Sequence, residues 1–103
     1  MMFDGFDWDS GNTGKAARHG LKIAEIEAFF TQELLVTDDR RHSSAEKRLI
    51  AVGRSTAGRP MFVAYTLRHK DGRLLIRVIS ARYAHTRELK AHEKLEEENP
   101  QDR

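Results

Sequence analysis

The chain has 103 residues, 39% hydrophobic and 33% charged, and no cysteine; it is long enough for one core and one domain, disulfides and thiolate zinc sites are excluded, and a reducing cytosol is compatible. No apolar run approaches the roughly 20 residues of a membrane helix, and the acidic opening MMFDGFDWDSG lacks the apolar stretch of a signal peptide. Net charge is +2, but residues 1–14 hold Asp4, Asp7 and Asp9 with no Lys or Arg, residues 93–103 hold five acids against Lys94 and Arg103, and residues 15–92 keep 16 of the 18 basic side chains with 8 of the 16 acidic ones.

Phe3, Phe6 and Trp8, apolar among acids and glycine, predict a short first strand, with Asp9 or Ser10 placed to cap a helix. Residues 12–19, NTGKAARH, predict that short helix, ended by Gly20 and weakened by Gly14. Residues 22–33, KIAEIEAFFTQE, predict a second helix: Ile23, Ile26, Phe29 and Phe30 recur at helical spacing and form one apolar stripe. Leu34, Leu35 and Val36 either prolong this helix or form a short extended segment. The charged stretch DDRRHSSAEKR, residues 38–48, leads into three strand-like runs: KRLIAVGR (47–54), MFVAYTLR (61–68) and RLLIRVISA (73–81). The first gap holds Gly58 and Pro60. The second holds Asp71-Gly72, a strong hairpin signal, so the three runs predict an antiparallel meander. In the last run Leu74, Ile76 and Val78 face one way and Leu75, Arg77 and Ile79 the other, which puts Arg77 centrally on a sheet face. Residues 85–98 predict a last helix with His85, Leu89, His92 and Leu95 on one side, and EEENPQDR is a polar tail. The order is α+β: a short first strand, two helices, a three-strand antiparallel meander and a C-terminal helix. Residues 1–92 are the expected domain and 93–103 its polar tail.

A basic body favours an anionic partner, nucleic acid or an acidic protein, although many small basic domains bind neither. Particular residues narrow the choice. Trp8-Asp9, Asn12 and Arg18-His19-Gly20 are followed by Asp38-Asp39, Arg41-His42, Glu46-x-Arg48, Gly53 and Gly58, then by RVISAR over residues 77–82 and by Arg87-Glu88. This ordered set, spanning roughly residues 6 to 90, resembles the BrnT family of bacterial type II toxins, whose fold is related to that of RelE-type ribonuclease toxins. The chain departs from the family at Lys22, where a small polar cap is usual, and at His85, where Ser or Thr tends to open the last helix. The resemblance implies a cytoplasmic, metal-independent endoribonuclease that inhibits translation and uses no cofactor. It also implies a cognate antitoxin of the BrnA type, a ribbon-helix-helix DNA-binding protein, with operator DNA bound only through the toxin–antitoxin complex.

Metal-free RNA cleavage is attack of a ribose 2′-OH on the adjacent phosphate. It needs a proton acceptor, positive donors around the phosphorane and an acid for the 5′ oxygen. Arg supplies permanently charged planar donors, and His titrates near neutrality. The catalytic candidates are His42, Glu46, Arg48, Arg77 and Arg82; the candidates for RNA contact are Lys15, Arg18, His19, Tyr83 and Arg87. Each has a plainer alternative. His42 is a general base or acid, or a solvated loop histidine beside Asp38 and Asp39. Glu46 and Arg48 are a proton acceptor and a phosphate ligand, or a surface ion pair of little weight. Arg77 and Arg82 form a phosphate platform near a helix N-terminus, or are structural arginines bonding carbonyls or Asp39. His19 takes part in acid–base work, or packs at a helix end. Tyr83 is an acid or a stacking residue, or surface packing; Trp8 and Phe6 stack on bases, or fill the core. His85 and His92, seven apart with Leu89 between them and no third ligand, point to ordinary packing rather than a metal. The N-terminal acids receive no role. The competing class is a non-catalytic module that holds RNA or a DNA-binding partner; an acidic antitoxin segment on the basic surface, or an exposed strand edge, would serve docking.

Overall fold

The computed structural model describes residues 3–39 and 46–98. Gly5–Phe6 form strand β1. Asp9 then caps helix α1, Ser10–Arg18: its Oδ1 accepts the Gly11 N–H at 2.8 Å, while Asn12 Oδ1 accepts the Asp9 N–H at 2.8 Å. This reciprocal pair satisfies donors that the first turn leaves unpaired, with Asn in the place usually held by Glu or Gln. Gly20, at φ +78°, takes the left-handed turn after α1, where the Leu21 N–H returns to the Ala16 carbonyl at 3.3 Å.

Helix α2 runs Ile23–Phe29, shorter than the apolar stripe predicts, and Lys22 stands at its start without a side-chain cap. Ile26, Phe29 and Phe30 are buried, while Ile23 remains 39% exposed. The chain leaves the helix because other partners intervene: Thr31 Oγ1 donates to the Ala28 carbonyl at 2.6 Å, and Gln32 donates to the Arg54 carbonyl at 2.6 Å. Leu35–Asp38 is then a strand, β2, not a helix extension.

Strands β3 (Leu49–Arg54), β4 (Pro60–Lys70) and β5 (Arg73–Tyr83) form the predicted meander. Its tight turn has Asp71 at φ 52° and Gly72 at φ 75°, the pair of positive φ values that suits a two-residue hairpin. The sheet order is β1-β5-β4-β3-β2, with β1 parallel to β5 and the other neighbours antiparallel. Helix α3, Thr86–Glu98, follows and packs against β3. Glu88 accepts the His85 N–H at 3.1 Å, so the start of α3 has the acidic half of a capping box without the Ser or Thr half.

One sheet face, carrying Ala51, Met61, Val63, Tyr65, Ile76, Val78 and Ala81, closes against Ala16, Leu21, Ile26, Phe29 and Phe30. Phe30 makes edge-on contacts with Phe29 and Tyr65, at centroid distances of 5.5 and 5.2 Å. Each fully buried large side chain of this kind contributes about 1.5–3 kcal/mol. Gly53 permits the fit, because a Cβ there would stand 2.6 Å from Leu34 Cδ2 and 3.2 Å from Phe29 Cε1. No helix of the described residues is long and apolar enough to cross a membrane.

Candidate active site on the open sheet face

On a regular strand, residues five apart point to opposite faces. Arg77 and Arg82 nevertheless share one. Ala64 pairs with Ser80 but Tyr65 pairs with Val78, so Ile79 is an extra residue in β5. That bulge resets the alternation. Val78 and Ala81 both enter the core, and Arg77, beside Thr66, and Arg82, beside Phe62, both face away from it. The face opposite the core thus carries Phe62, Ala64, Thr66 and Arg68 from β4, and Arg77, Ser80 and Arg82 from β5.

Two adjoining hollows lie on this face. The first, about 240 Å³, is lined by Lys15, Glu46, Arg48, Arg68 and Arg77 over a floor that includes Thr66 and Ile79. Arg77 is gripped by Asp9 through two parallel bonds, Nη1 to Oδ2 at 3.0 Å and Nη2 to Oδ1 at 3.1 Å, with Asp7 Oδ2 at 3.6 Å. The Arg77 bonds, and next the Gly11 N–H, hold the Asp9 carboxyl below its ordinary range, and Asp9 in turn raises the pKa of Arg77. Arg68 faces Glu46 with Nη2 bonded to Oε1 at 3.2 Å and Nε 2.8 Å from Oε2, its N–H off that line. Arg48 is half-buried and accepts the Asp39 N–H on its carbonyl at 2.8 Å, which fixes Asp39 and Arg48 across the start of the β2–β3 ladder.

The second hollow, about 200 Å³, has a different wall. Ile50, Phe62, Ala64 and Ala81 are apolar; His19, Asp39, Ser80 and Arg82 are polar. The Arg82 guanidinium lies 4.7 Å from the Phe62 ring centroid and bonds Glu88 at 3.0 and 3.4 Å. Those bonds, together with the His85 N–H, hold the Glu88 carboxyl down to about 2. Such an array of oriented guanidinium groups fits the oxygens of a phosphodiester.

The sequence candidates divide accordingly. Lys15, Glu46, Arg48 and Arg77 meet in the first hollow, and His19 and Arg82 in the second. His42 lies outside the described residues. Arg18 is exposed at the end of α1 and lines neither hollow, and Arg87 sits on the first turn of α3 with His85, Thr86 and Glu88. Tyr83 is on the core side: its hydroxyl donates to Glu25 and its ring lies under Arg59, 3.5 Å from the guanidinium carbon. The Glu25 bond, then partial burial, raises the Tyr83 pKa. Trp8 stacks near Phe6 at 6.3 Å and donates to Glu27 at 2.9 Å, beside the core. Among the described residues, no three His, Cys, Asp or Glu side chains gather into a metal site. Arg68 was not foreseen. The alternation Phe62, Ala64, Thr66, Arg68 carries the signal, since it puts Arg68 on the face opposite Val63 and Tyr65. Asp7, left without a role by the sequence, and Asp9, expected only as a helix cap, prove to be the partners of Arg77.

Residues 8–88, which contain every residue of both hollows, match the family model described as the ribonuclease toxin, BrnT, of type II toxin–antitoxin systems. Comparison with curated proteins finds no match. A match over that much of the chain, on a five-stranded α+β fold with a cationic open face, places the protein in the BrnT family of type II ribonuclease toxins.

Proposed function

We propose that this toxin is a metal-independent cytoplasmic endoribonuclease that cleaves RNA through its own 2′-OH and thereby inhibits translation. The observation that carries the reading is the convergence of Lys15, Arg48, Arg68, Arg77 and Arg82 on one sheet face, with Glu46 among them. In this reading Arg77 and Arg82 hold the phosphate and stabilise the charge that grows on the phosphorane. Glu46, oriented by Arg68, takes the 2′ proton, and His19 or His42 supplies one to the 5′ oxygen. Lys15 and Arg18 extend the contact to the RNA backbone; Tyr83 and Arg87, away from the hollows, would meet RNA only beyond them. The antitoxin partner is of the BrnA type. It neutralises the toxin by covering this cationic face with an acidic segment, and it carries the complex to operator DNA.

The direct test is cleavage of RNA by the purified full-length protein in excess EDTA, with analysis of the ends formed. Products with 2′,3′-cyclic phosphate and 5′-hydroxyl ends, and no cut where a 2′-deoxy nucleotide replaces the scissile one, are expected. Restoration only by a divalent cation, or 5′-phosphate ends, would contradict the mechanism. A second reading, a module that holds RNA or a DNA-binding partner without cutting, is favoured by one observation: Arg68, Arg77 and Arg82 are each already paired with a carboxylate of the chain. Tight RNA binding without any cleavage, ribosomes included, would select it.

A further inference from the structure

The cationic face accounts for phosphate, but the second hollow is half apolar and holds a carboxylate, neither of which a phosphate requires. We propose that this hollow is a nucleobase subsite and that guanine is the base it takes; the proposal deepens the ribonuclease reading of the same face and rests on it.

The walls argue for a base. Ile50, Phe62 and Ala64 offer apolar surface for the flat faces of a ring, and the Arg82 guanidinium, itself lying over Phe62, presents a further plane on which a ring stacks. The location argues for a base attached to a phosphate held next door. Ala64 and Ser80 pair across the strands of this hollow, while Thr66 and Arg77 pair across those of the first. The two rows are two residues apart along β4, about 7 Å, a separation that a single nucleotide bridges between its base and its phosphate.

The polar groups argue for which base. Asp39, which lines the hollow, accepts hydrogen bonds. Guanine alone presents two adjacent donors, N1–H and N2–H₂, on one edge and two acceptors, O6 and N7, on another. The donor edge suits a carboxylate, whose two oxygens take both donors at once. Adenine and cytosine would each set an acceptor nitrogen beside the Asp39 carboxylate. Uracil offers a single donor, and its smaller ring fills less of the hollow.

The test compares the 3′-monophosphates of guanosine, adenosine, cytidine and uridine as ligands of the full-length protein, followed by amide NMR shifts. Guanylate is expected to bind about tenfold or more tightly than the other three. Its shifts should centre on Ala64 and Ser80, and Asp39→Asn should bring it to the level of adenylate. Equal binding of all four, guanylate shifts elsewhere, or uridylate matching guanylate would overturn the proposal without recourse to any variant. RNA cleavage that shows no guanine preference at either neighbour of the cut removes the subsite and leaves the ribonuclease reading intact. Selective guanylate binding by a protein that cuts no RNA keeps the subsite and overturns that reading.

Discussion

Arg68, Arg77 and Arg82 do not wait on the open face as mobile cations. Glu46, Asp9 with Asp7, and Glu88 hold them at 2.8–3.6 Å. A phosphodiester arriving there exchanges one acceptor for another at a guanidinium already oriented, so little side-chain freedom is lost on binding. The same pairing makes folding pH-dependent in a known direction. Glu88 titrates near 2 in the folded chain against an ordinary 4.5, so the stabilisation from its ionised form is complete above pH 4.5 and lost as the pH falls toward 2. Asp9 acts in the same direction. Because the Glu88 side chain is partly exposed, 38%, solvent screens the pair and the expected effect is modest. Stability measured from pH 6 to pH 2 should fall less steeply in Glu88→Gln than in the natural chain, and the Glu88 carboxyl should titrate higher in Arg82→Ala. A Glu88 that titrates near 4.5 in both proteins would contradict the pairing.

At the scale of elements, the site depends on one bulge and one asparagine. Were Ile79 to take a regular place in the ladder instead of bulging, Arg82 would point into the core and Ala81 outward. RVISAR gives no notice of this. It lacks the glycine that often marks a bulge, and its apolar residues fit either face. The hairpin, by contrast, was legible, because Asp71-Gly72 meets a specific backbone demand. Strand β2 was open between two readings because Leu34, Leu35 and Val36 form a short apolar run without alternation; its pairing with Leu49–Val52 decides the matter. Asn12 ties these parts together. It is buried, donates to the Asp7 and Val78 carbonyls at 3.0 and 2.9 Å, and accepts the Asp9 N–H. It thereby fastens the β1–α1 junction, with the carboxylates that hold Arg77, to β5 next to the bulge. Asn12→Ala leaves buried polar groups unpaired and should lower stability by about 2–3 kcal/mol in urea with an unchanged m-value. A loss under about 0.5 kcal/mol would mean that the junction is held otherwise.

For the molecule as a whole, charge distribution foretold more than any single motif. Five cations of the basic body, Lys15, Arg48, Arg68, Arg77 and Arg82, line the face opposite the core, and the acidic N-terminal stretch is tied to β5: Asp4 accepts the Leu74 N–H at 2.7 Å, and Asp7 and Asp9 flank Arg77. Sequence could not assign the partners of those acids on β5, because they lie some 70 residues away across a parallel strand pair. It did bring Lys15, Glu46, Arg48 and Arg77 to attention, and the fold gathers them in one hollow. It also raised Tyr83, which the alternation of β5 past the bulge turns to the core side. The central claim is that the open face does the chemistry and the core side does not. The most direct measurement is the rate of RNA cleavage in EDTA by the natural chain, Arg82→Ala and Arg59→Ala, with folding matched by circular dichroism. Arg82→Ala should be slower by about 100-fold or more, the loss typical of one electrostatic donor to a developing oxyanion, and Arg59→Ala should stay within about twofold. Cleavage unchanged in Arg82→Ala, or lost in Arg59→Ala, would contradict the claim and move the site off this face.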